Sequence, residues 1–597
     1  MQRLIRGRIG KLGIAIILIF IGLVGRLVQI QLVSTESFSD SRVNLIEASV
    51  KQRTQSMIID EGRGRFIDRH GNPLTHDYYP SLILFPFLNG LDWPKEELAS
   101  ILGMSTSSID RLLEDAEKPV VVSEFHGPVK LDEEQMKKIN QLDFPGVVAL
   151  YRQFKLDDQV AQQVIGMTGE NEGEFLKRYK EKVSKENYSP KTPIGITGLE
   201  QAFDEFLLPE GETKLLYHVD RFGGPLFGID VRYTGPSNPY HPVSVKTTID
   251  KDLQQMTERI FNDYQVKKGG LVLLDIETNE ILAMASRPAL NPGAPFDDEG
   301  AKNVMLERHF PGSVFKTVIA AAAMEENIVN DESTFNCDLD IQGELLSEEK
   351  ERKGVLNFED SFASSCNHTF GELGKQLVEV NPDTIDAYAK ILGLSTKVGW
   401  KGDVFHFDGF SQIPAEEKGV VWHDDKDKKV SLAVAQTSIG QKEVRVTPLA
   451  VANMMATIAR GGRAEEVKLV SDIVYKNGAT LYSFPDQDME QEERLSKYTV
   501  MQLQHLLREV VVNEKGTGWR FRDLPYEVAG KSGTAQTGKK LEGGGELLNR
   551  WFAGYFPFQN PKYAMVVVEL DVLYENNVSS VYHDVVKSIH DWEMLER

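Results

Sequence analysis

Cysteine is almost missing from this chain: Cys337 and Cys366 are the only two in 597 residues. That scarcity excludes a disulfide framework, and no Cys/His cluster stands at metal-ligand spacing, so the sequence gives no metal site and calls for no cofactor. His368 is a lone histidine, read as a packing or polar contact, and Cys366 reads as a small buried filler. Whether the two cysteines pair is left open by the sequence. Positive charge is short as well, with 67 Lys and Arg against 89 Asp and Glu and a net charge of −22. The first 33 residues hold five positive and no negative side chains, so the remainder stands near −27. A surface that acidic argues against nucleic acid and against a basic patch on anionic lipid. Long apolar runs are absent too, with one exception at the N-terminus.

The exception runs from Leu12 to Val33, with Arg26 its one charged residue and Gln29 and Gln31 polar near its end. Its 22 residues would span roughly 33 Å as a helix, enough for a bilayer core. Arg26 lies in the outer third, where its head can snorkel to the interface. Arg3, Arg6, Arg8 and Lys11 precede the run, which places residues 1–11 in the cytoplasm and everything beyond the anchor outside. A cleaved signal peptide has the same charged start, but no small-x-small cleavage site follows.

The chemistry is most legible at Phe310-Pro-Gly-Ser313-Val-Phe-Lys316, followed by an alanine-rich apolar run. A Pro-Gly turn before a buried helix puts Ser313 at the first turn and Lys316 on the same face, beside the hydroxyl. A desolvated neutral lysine can take a serine proton, and the helix N-terminus offers N–H groups where an oxyanion would form. Alone, Ser-x-x-Lys is weak, since a chain this long holds on the order of a few by chance. A second copy, Ser347 to Lys350, lies among carboxylates and reads as a solvated loop. A helix cap with a packed lysine neighbour would read the same way at Ser313.

Two further elements change that balance. The single Ser-x-Asn is Ser365-Cys-Asn367, and the single Lys-[Ser/Thr]-Gly is Lys531-Ser532-Gly533, followed by Thr534, Ala535 and Gln536. That order matches the serine acyl-transferases that bind penicillin. Ser365 is placed to relay a proton, Asn367 to hold a substrate amide and Lys531 to face a substrate carboxylate. Gly533 would let substrate backbone approach the strand. Strand alternation sets Lys531 and Gly533 on one face and Ser532 and Thr534 on the other, so the site must run along a strand edge. The Thr534 backbone N–H is then the second oxyanion donor, beside that of Ser313.

With these motifs the chain resembles a class B penicillin-binding protein, a monofunctional peptidoglycan transpeptidase. Arg63-Gly-Arg-Phe-Ile-Asp68-Arg-His-Gly71-Asn-Pro-Leu74 and Gly195-Ile-Thr-Gly198-Leu-Glu200 are similar to two elements of that family's N-terminal domain. Gly440-Gln441 through Thr447-Pro-Leu449 and Trp551 to Pro557 are similar to further elements of its catalytic domain. The resemblance implies Ser313 as nucleophile, Lys316 as base, Ser365 and Asn367 as the second motif, Lys531 as the third motif's cation, and Ser532, Gly533, Thr534 and Gln536 as substrate-binding. It also implies D-Ala-D-Ala stem peptides as substrate, covalent inhibition by β-lactams at Ser313, and partners that include a membrane glycosyltransferase and other cell-wall synthesis proteins.

The expected organisation is a cytoplasmic tail (1–11), a transmembrane anchor (12–33), a helical stalk (34–52), a mixed α/β pedestal or dimerisation-type domain (53–245) and a transpeptidase domain (246–597). The fold class of the last is α+β, an antiparallel sheet covered by helices. Strands are expected at Gly270–Ser286 around a Glu-Thr-Asn turn, at Lys531–Thr537, at Arg550–Phe558 and at Tyr563–Val572. Helices are expected at Val314–Glu326, Phe358–Leu377, Thr447–Ala459 and Lys497–Val512, with a lysine-rich loop at Lys182–Lys191 and a mobile loop at Lys539–Asn549. The pedestal shows none of the acidic motifs of a glycosyltransferase. Three other functions use the same motifs: a D,D-carboxypeptidase, a β-lactamase and a non-catalytic scaffold or β-lactam sensor. No Glu-x-x-Leu-Asn element speaks for the second, and intact motifs speak against the third.

Overall fold

The structure is a computed structural model that describes residues 2–596 except 37–43, 46–47, 49–53, 125–126, 187, 219–231, 236–237, 331, 348–351, 491–492, 542–543 and 575. The chain separates into two compact units. One comprises Met1–Gly62, Asp77–Phe154 and Pro209–Pro239, the other Arg63–His76, Lys155–Leu208 and Tyr240–Arg597. Most of the predicted stalk lies outside the described residues.

The first unit begins with the apolar helix Gln2–Val28, which runs on through a π-turn at Gln29–Val33. The segment Gly7–Val33 is long and apolar enough to cross a membrane, and none of its most apolar window is buried by protein. Among the described residues the rest of the unit is three small sheets and short helices. Asp132 caps the helix Glu133–Gln141 in a capping box with Gln135, which fixes where that helix starts. The lysine-rich segment from Lys182, in the second unit, is not the expected loop at its start. It completes the helix Glu172–Glu186, whose apolar residues Phe175 and Tyr179 are buried.

The second unit is built on a five-stranded antiparallel sheet. In chain order its elements are α1 (Lys251–Asp263), β1 (Gly269–Asp275), β2 (Ile281–Arg287), α2 (Lys316–Glu325), α3 (Phe358–Ala363), α4 (Asn367–Val380), α5 (Pro448–Ala459), α6 (Lys497–Val512), β3 (Ala529–Lys540), β4 (Glu546–Phe556), β5 (Tyr563–Val572) and α7 (Val578–Glu596). The strand order is β2-β1-β5-β4-β3, which leaves β3 at an edge. Side chains alternate between two cores. Val272, Leu274, Trp551, Ala553 and Val566 face one core with α2 and α5, while Leu271, Leu273, Phe552, Phe556 and Val567 face the other with α1 and α7. Because both faces are covered, β1 is a continuous apolar run instead of an alternating one.

The expected strands and helices are present with adjusted ends. The helix expected at Phe358–Leu377 is two helices, α3 and α4, broken at Ser364–Cys366. The loop expected at Lys539–Asn549 is short: β3 runs to Lys540 and β4 starts at Glu546. The helices α1 and α7 carry no motif and had no place in the expectation.

Two N-terminal elements belong to this unit. Strand Arg65–Ile67 pairs in parallel with Ser244–Thr247, which pairs antiparallel with Val470–Val474. The Arg63 guanidinium donates to Glu200 at 2.5 Å and to Asp204 at 2.9 Å, and Asp204 also accepts from the Gly195 N–H and the Tyr179 hydroxyl. The segments 63–74 and 195–204 are thus one ion-paired corner.

Candidate active site

Ser313 sits in a 3-10 turn, Gly312–Phe315, that leads directly into α2. Its neighbours Gly312, Val314, Phe315 and Lys316 are buried, and Ser313 is the one residue of the turn with access to solvent. Gly312 holds φ 55°, and a Cβ there would stand 2.2 Å from Thr534 O. At this position only glycine allows the turn to touch β3. The Gly312 N–H donates to Gly440 O at 3.0 Å, which fastens the turn on its other side.

Lys316 is fully buried, and its amine does not go to the serine three residues back. It donates to Ser365 O at 2.8 Å, Ser365 Oγ at 3.2 Å and Asn367 Oδ1 at 2.6 Å. Among the described residues Ser313 Oγ makes no hydrogen bond. A 3-10 turn eclipses i and i+3, so the lysine stem starts beneath the serine, and the acceptors at the α3–α4 break draw the amine across the cleft. Burial drives the Lys316 amine well below its usual range, and the charges of Lys531 and Lys353 push the same way.

The second motif occupies the break between α3 and α4. Ser365 adopts φ 58°, a left-handed conformation that is costly for a side chain with a Cβ. Cys366, buried, is not a simple filler: it forms a disulfide with Cys337, with Cα atoms 5.7 Å apart. The bond anchors the strained turn to the strand Thr334–Asn336. On the other side Lys353 donates to Ser364 O at 2.6 Å. Asn367 is exposed at the start of α4, and His368 Nδ1 lies 2.8 Å from Asp340 O, the polar contact expected of it.

The third motif lies on edge strand β3. Lys531, Gly533 and Ala535 are buried, while Thr534 and Gln536 are exposed and Ser532 is half-buried, as the alternation requires. Gly533 has a reason other than the expected one. A Cβ there would lie 2.5 Å from Pro311 O, so its bareness admits the nucleophile's turn. Lys531 is fully buried, 5.6 Å above the Phe362 ring, and burial followed by the Lys353 charge brings its amine down to about 7. Ser532 Oγ is 2.8 Å from Thr517 Oγ1, and Gln536 donates to Glu546 at 2.8 Å across the hairpin.

The structure therefore brings Ser313, Lys316, Ser365, Asn367, Lys531 and Thr534 to one cleft and leaves Gln536 towards its outer end. Lys353 and Thr517 were not legible, because neither belongs to a recognisable spacing. The Trp551 indole N–H, which donates to Phe310 O at 3.0 Å, was hidden in the same way. Away from this cleft, Glu359, His505 and Glu509 bring ligand-type atoms within 4.8 Å of one another. His505 and Glu359 already pair at 2.8 Å there.

The penicillin-binding protein transpeptidase domain matches residues 269–590, and the penicillin-binding protein dimerisation domain matches residues 58–225. The chain is 24% identical over 547 residues to the peptidoglycan D,D-transpeptidase MrdA of Haemophilus influenzae, covering 85% of this chain and 80% of that one. It is 25% identical over 538 residues to the stage V sporulation protein D of Bacillus subtilis, covering 86% and 75%. A solved peptidoglycan synthase complex that coordinates polymerisation and crosslinking contains a chain of the same fold, at TM-score 0.64 and 22% identity over 98% of both chains. A penicillin-binding protein in complex with MreC from Helicobacter pylori aligns at TM-score 0.57 and 18% identity, over 90% of this chain and 99% of that one.

Proposed function

The chain belongs to the class B penicillin-binding proteins, and from that premise we propose that it is a membrane-anchored peptidoglycan D,D-transpeptidase acting through an acyl-Ser313 intermediate. Ser313 Oγ attacks the carbonyl of the penultimate D-alanine in a D-Ala-D-Ala stem peptide, and the neutral Lys316 amine accepts the hydroxyl proton. The backbone N–H groups of Ser313 and Thr534 take the developing oxyanion. Ser365, bonded to Lys316, passes the proton to the departing D-alanine, and Asn367 orients the peptide. The amine of a second stem peptide then displaces Ser313 and closes the cross-link. A β-lactam enters at the first step and stays, because its ring-opened product does not leave. The carrying observation is the buried Lys316 amine, within 3.2 Å of both polar side chains of the second motif.

The apolar helix anchors the chain, and the basic residues ahead of it place the N-terminus in the cytoplasm and the catalytic unit outside. The partners in this reading are a membrane glycosyltransferase and other cell-wall synthesis proteins, supported by the two complexes that share this fold, one a peptidoglycan synthase and the other with MreC.

Covalent labelling by a fluorescent penicillin tests the proposal. Wild type and Ser347→Ala are expected to take a label that persists for hours, and Ser313→Ala to take none. Label retained in Ser313→Ala rejects the nucleophile, and label lost within seconds identifies a β-lactamase. Release of D-alanine without cross-linked dimer, when both stem peptides are supplied, identifies a carboxypeptidase.

A further inference from the structure

We infer that Arg550 is the residue that recognises the terminal carboxylate of the donor stem peptide, and of a β-lactam, at the rim of this cleft. The inference rests on the acyl-transfer reading above and adds a specificity residue from outside the three motifs. Arg550 lies on β4 directly opposite Thr534 of β3. Its guanidinium donates to Thr534 Oγ1 at 2.7 Å and to Tyr574 O at 3.3 Å, with the Tyr574 ring 5.2 Å away. The Nε–H is buried without a partner. Among the described residues no carboxylate pairs with this guanidinium. Glu569 sits opposite on β5, yet its carboxylate accepts from the Asn577 N–H at 2.7 Å and makes no ion pair with Arg550.

A half-buried guanidinium without a counter-ion is an electrostatic debt that an anionic ligand removes, and its planar fork matches a carboxylate. The alternative cation is poorly placed. Lys531 points to the buried face of β3 over Phe362, away from the exposed side chain of Thr534. Burial also leaves the Lys531 amine only partly charged near neutral pH, whereas a guanidinium keeps its charge. The carboxylate group of a D-Ala-D-Ala terminus is therefore met on the exposed edge of β3 by Arg550, with the Thr534 hydroxyl shared between them. The buried amine of Lys531 remains within the cleft wall.

The test compares acylation of the detergent-solubilised full chain by benzylpenicillin and by its methyl ester, which lacks the negative charge. The variants are wild type, Arg550→Gln and Arg550→Lys, each checked for folding by circular dichroism. The preference of wild type for the acid is expected to shrink roughly 10- to 100-fold in Arg550→Gln, the size of a lost charge-assisted hydrogen bond. Arg550→Lys is expected to keep part of it, and carries the test if the glutamine variant does not fold. Acid and ester rates that fall by the same factor would show a packing role and overturn the inference alone, as would an unchanged preference. Wild-type protein that both compounds leave unacylated would overturn the acyl-transfer reading itself.

Discussion

Two lysine amines are sealed in one cleft, and among the described residues neither has a carboxylate to hold its charge. Lys316 gives its amine to neutral oxygens, and Lys531 rests on an aromatic face. Desolvation then favours the uncharged amine at both. For Lys531 the fall is from 10.5 to about 7. Between those values the unfolded chain holds a proton that the folded chain has released, so this site makes stability rise with pH across the window and leaves it flat below. Lys316 acts in the same direction. Denaturant melts at about pH 7.5 and about pH 9.5 check this, with Lys531→Met expected to gain stability relative to wild type at the lower pH and to lose that advantage at the higher. An advantage independent of pH would contradict a depressed Lys531.

At the scale of elements, the cleft is a junction of three short pieces: a 3-10 turn, a helix break and a strand edge. Gly312 and Gly533 let the turn and the edge approach at distances no side chain permits. Gly312→Ala must push β3 away or distort a left-handed residue. Acylation by fluorescent penicillin is expected to fall roughly 100-fold, in keeping with an ångström-scale misplacement of reacting groups. A variant that acylates at the wild-type rate would show that the turn need not touch β3. The helix break depends on the Cys337–Cys366 bond, which joins residues 29 apart. Replacing both with serine is expected to lower stability by about 3 kcal/mol. Thermal melting with and without reductant checks it: wild type should drop towards the variant on reduction, and the variant should not respond.

At the scale of the whole molecule, segments far apart in sequence are held together by buried charge. Arg63 serves two carboxylates, Glu200 and Asp204, both buried. Removing it leaves Glu200 without a counter-ion and Asp204 with only the longer contact to Arg178 at 3.7 Å, in a corner that carries the segments 63–74 and 195–204. Arg63→Met is expected to destabilise the unit by about 3–5 kcal/mol, and Arg63→Met with Glu200→Gln and Asp204→Asn to recover part of that loss. Thermal melting of the three proteins measures it, and a triple variant no more stable than the single one would mean that charge pairing is not what holds the corner.

Much of this was open to reading in one dimension. Ser313, Lys316, Ser365, Asn367 and Lys531 to Thr534 could be named because each motif is a run of neighbours, and local spacing fixes which residues share a turn or a strand face. The strands β1, β2 and β5 were readable because apolar runs between turns have few other uses, and the anchor because bilayer thickness sets a length. Other features depended on residues brought together from distant parts of the chain. The Lys316 amine turned to the second motif because its acceptors are 49 and 51 residues away in sequence. The single expected helix became α3 and α4 because Ser365 is held in a left-handed turn between the disulfide and Lys353. Lys353, Thr517 and Arg550 acquired a place in the cleft only through packing across the sheet and its loops. Sequence alone determined the chemistry, since the reacting groups and their order are covalent facts of the chain. Tertiary structure alone decided which charges are neutralised, which are stranded and where an anion would be met, because burial and counter-ions are properties of the assembled fold.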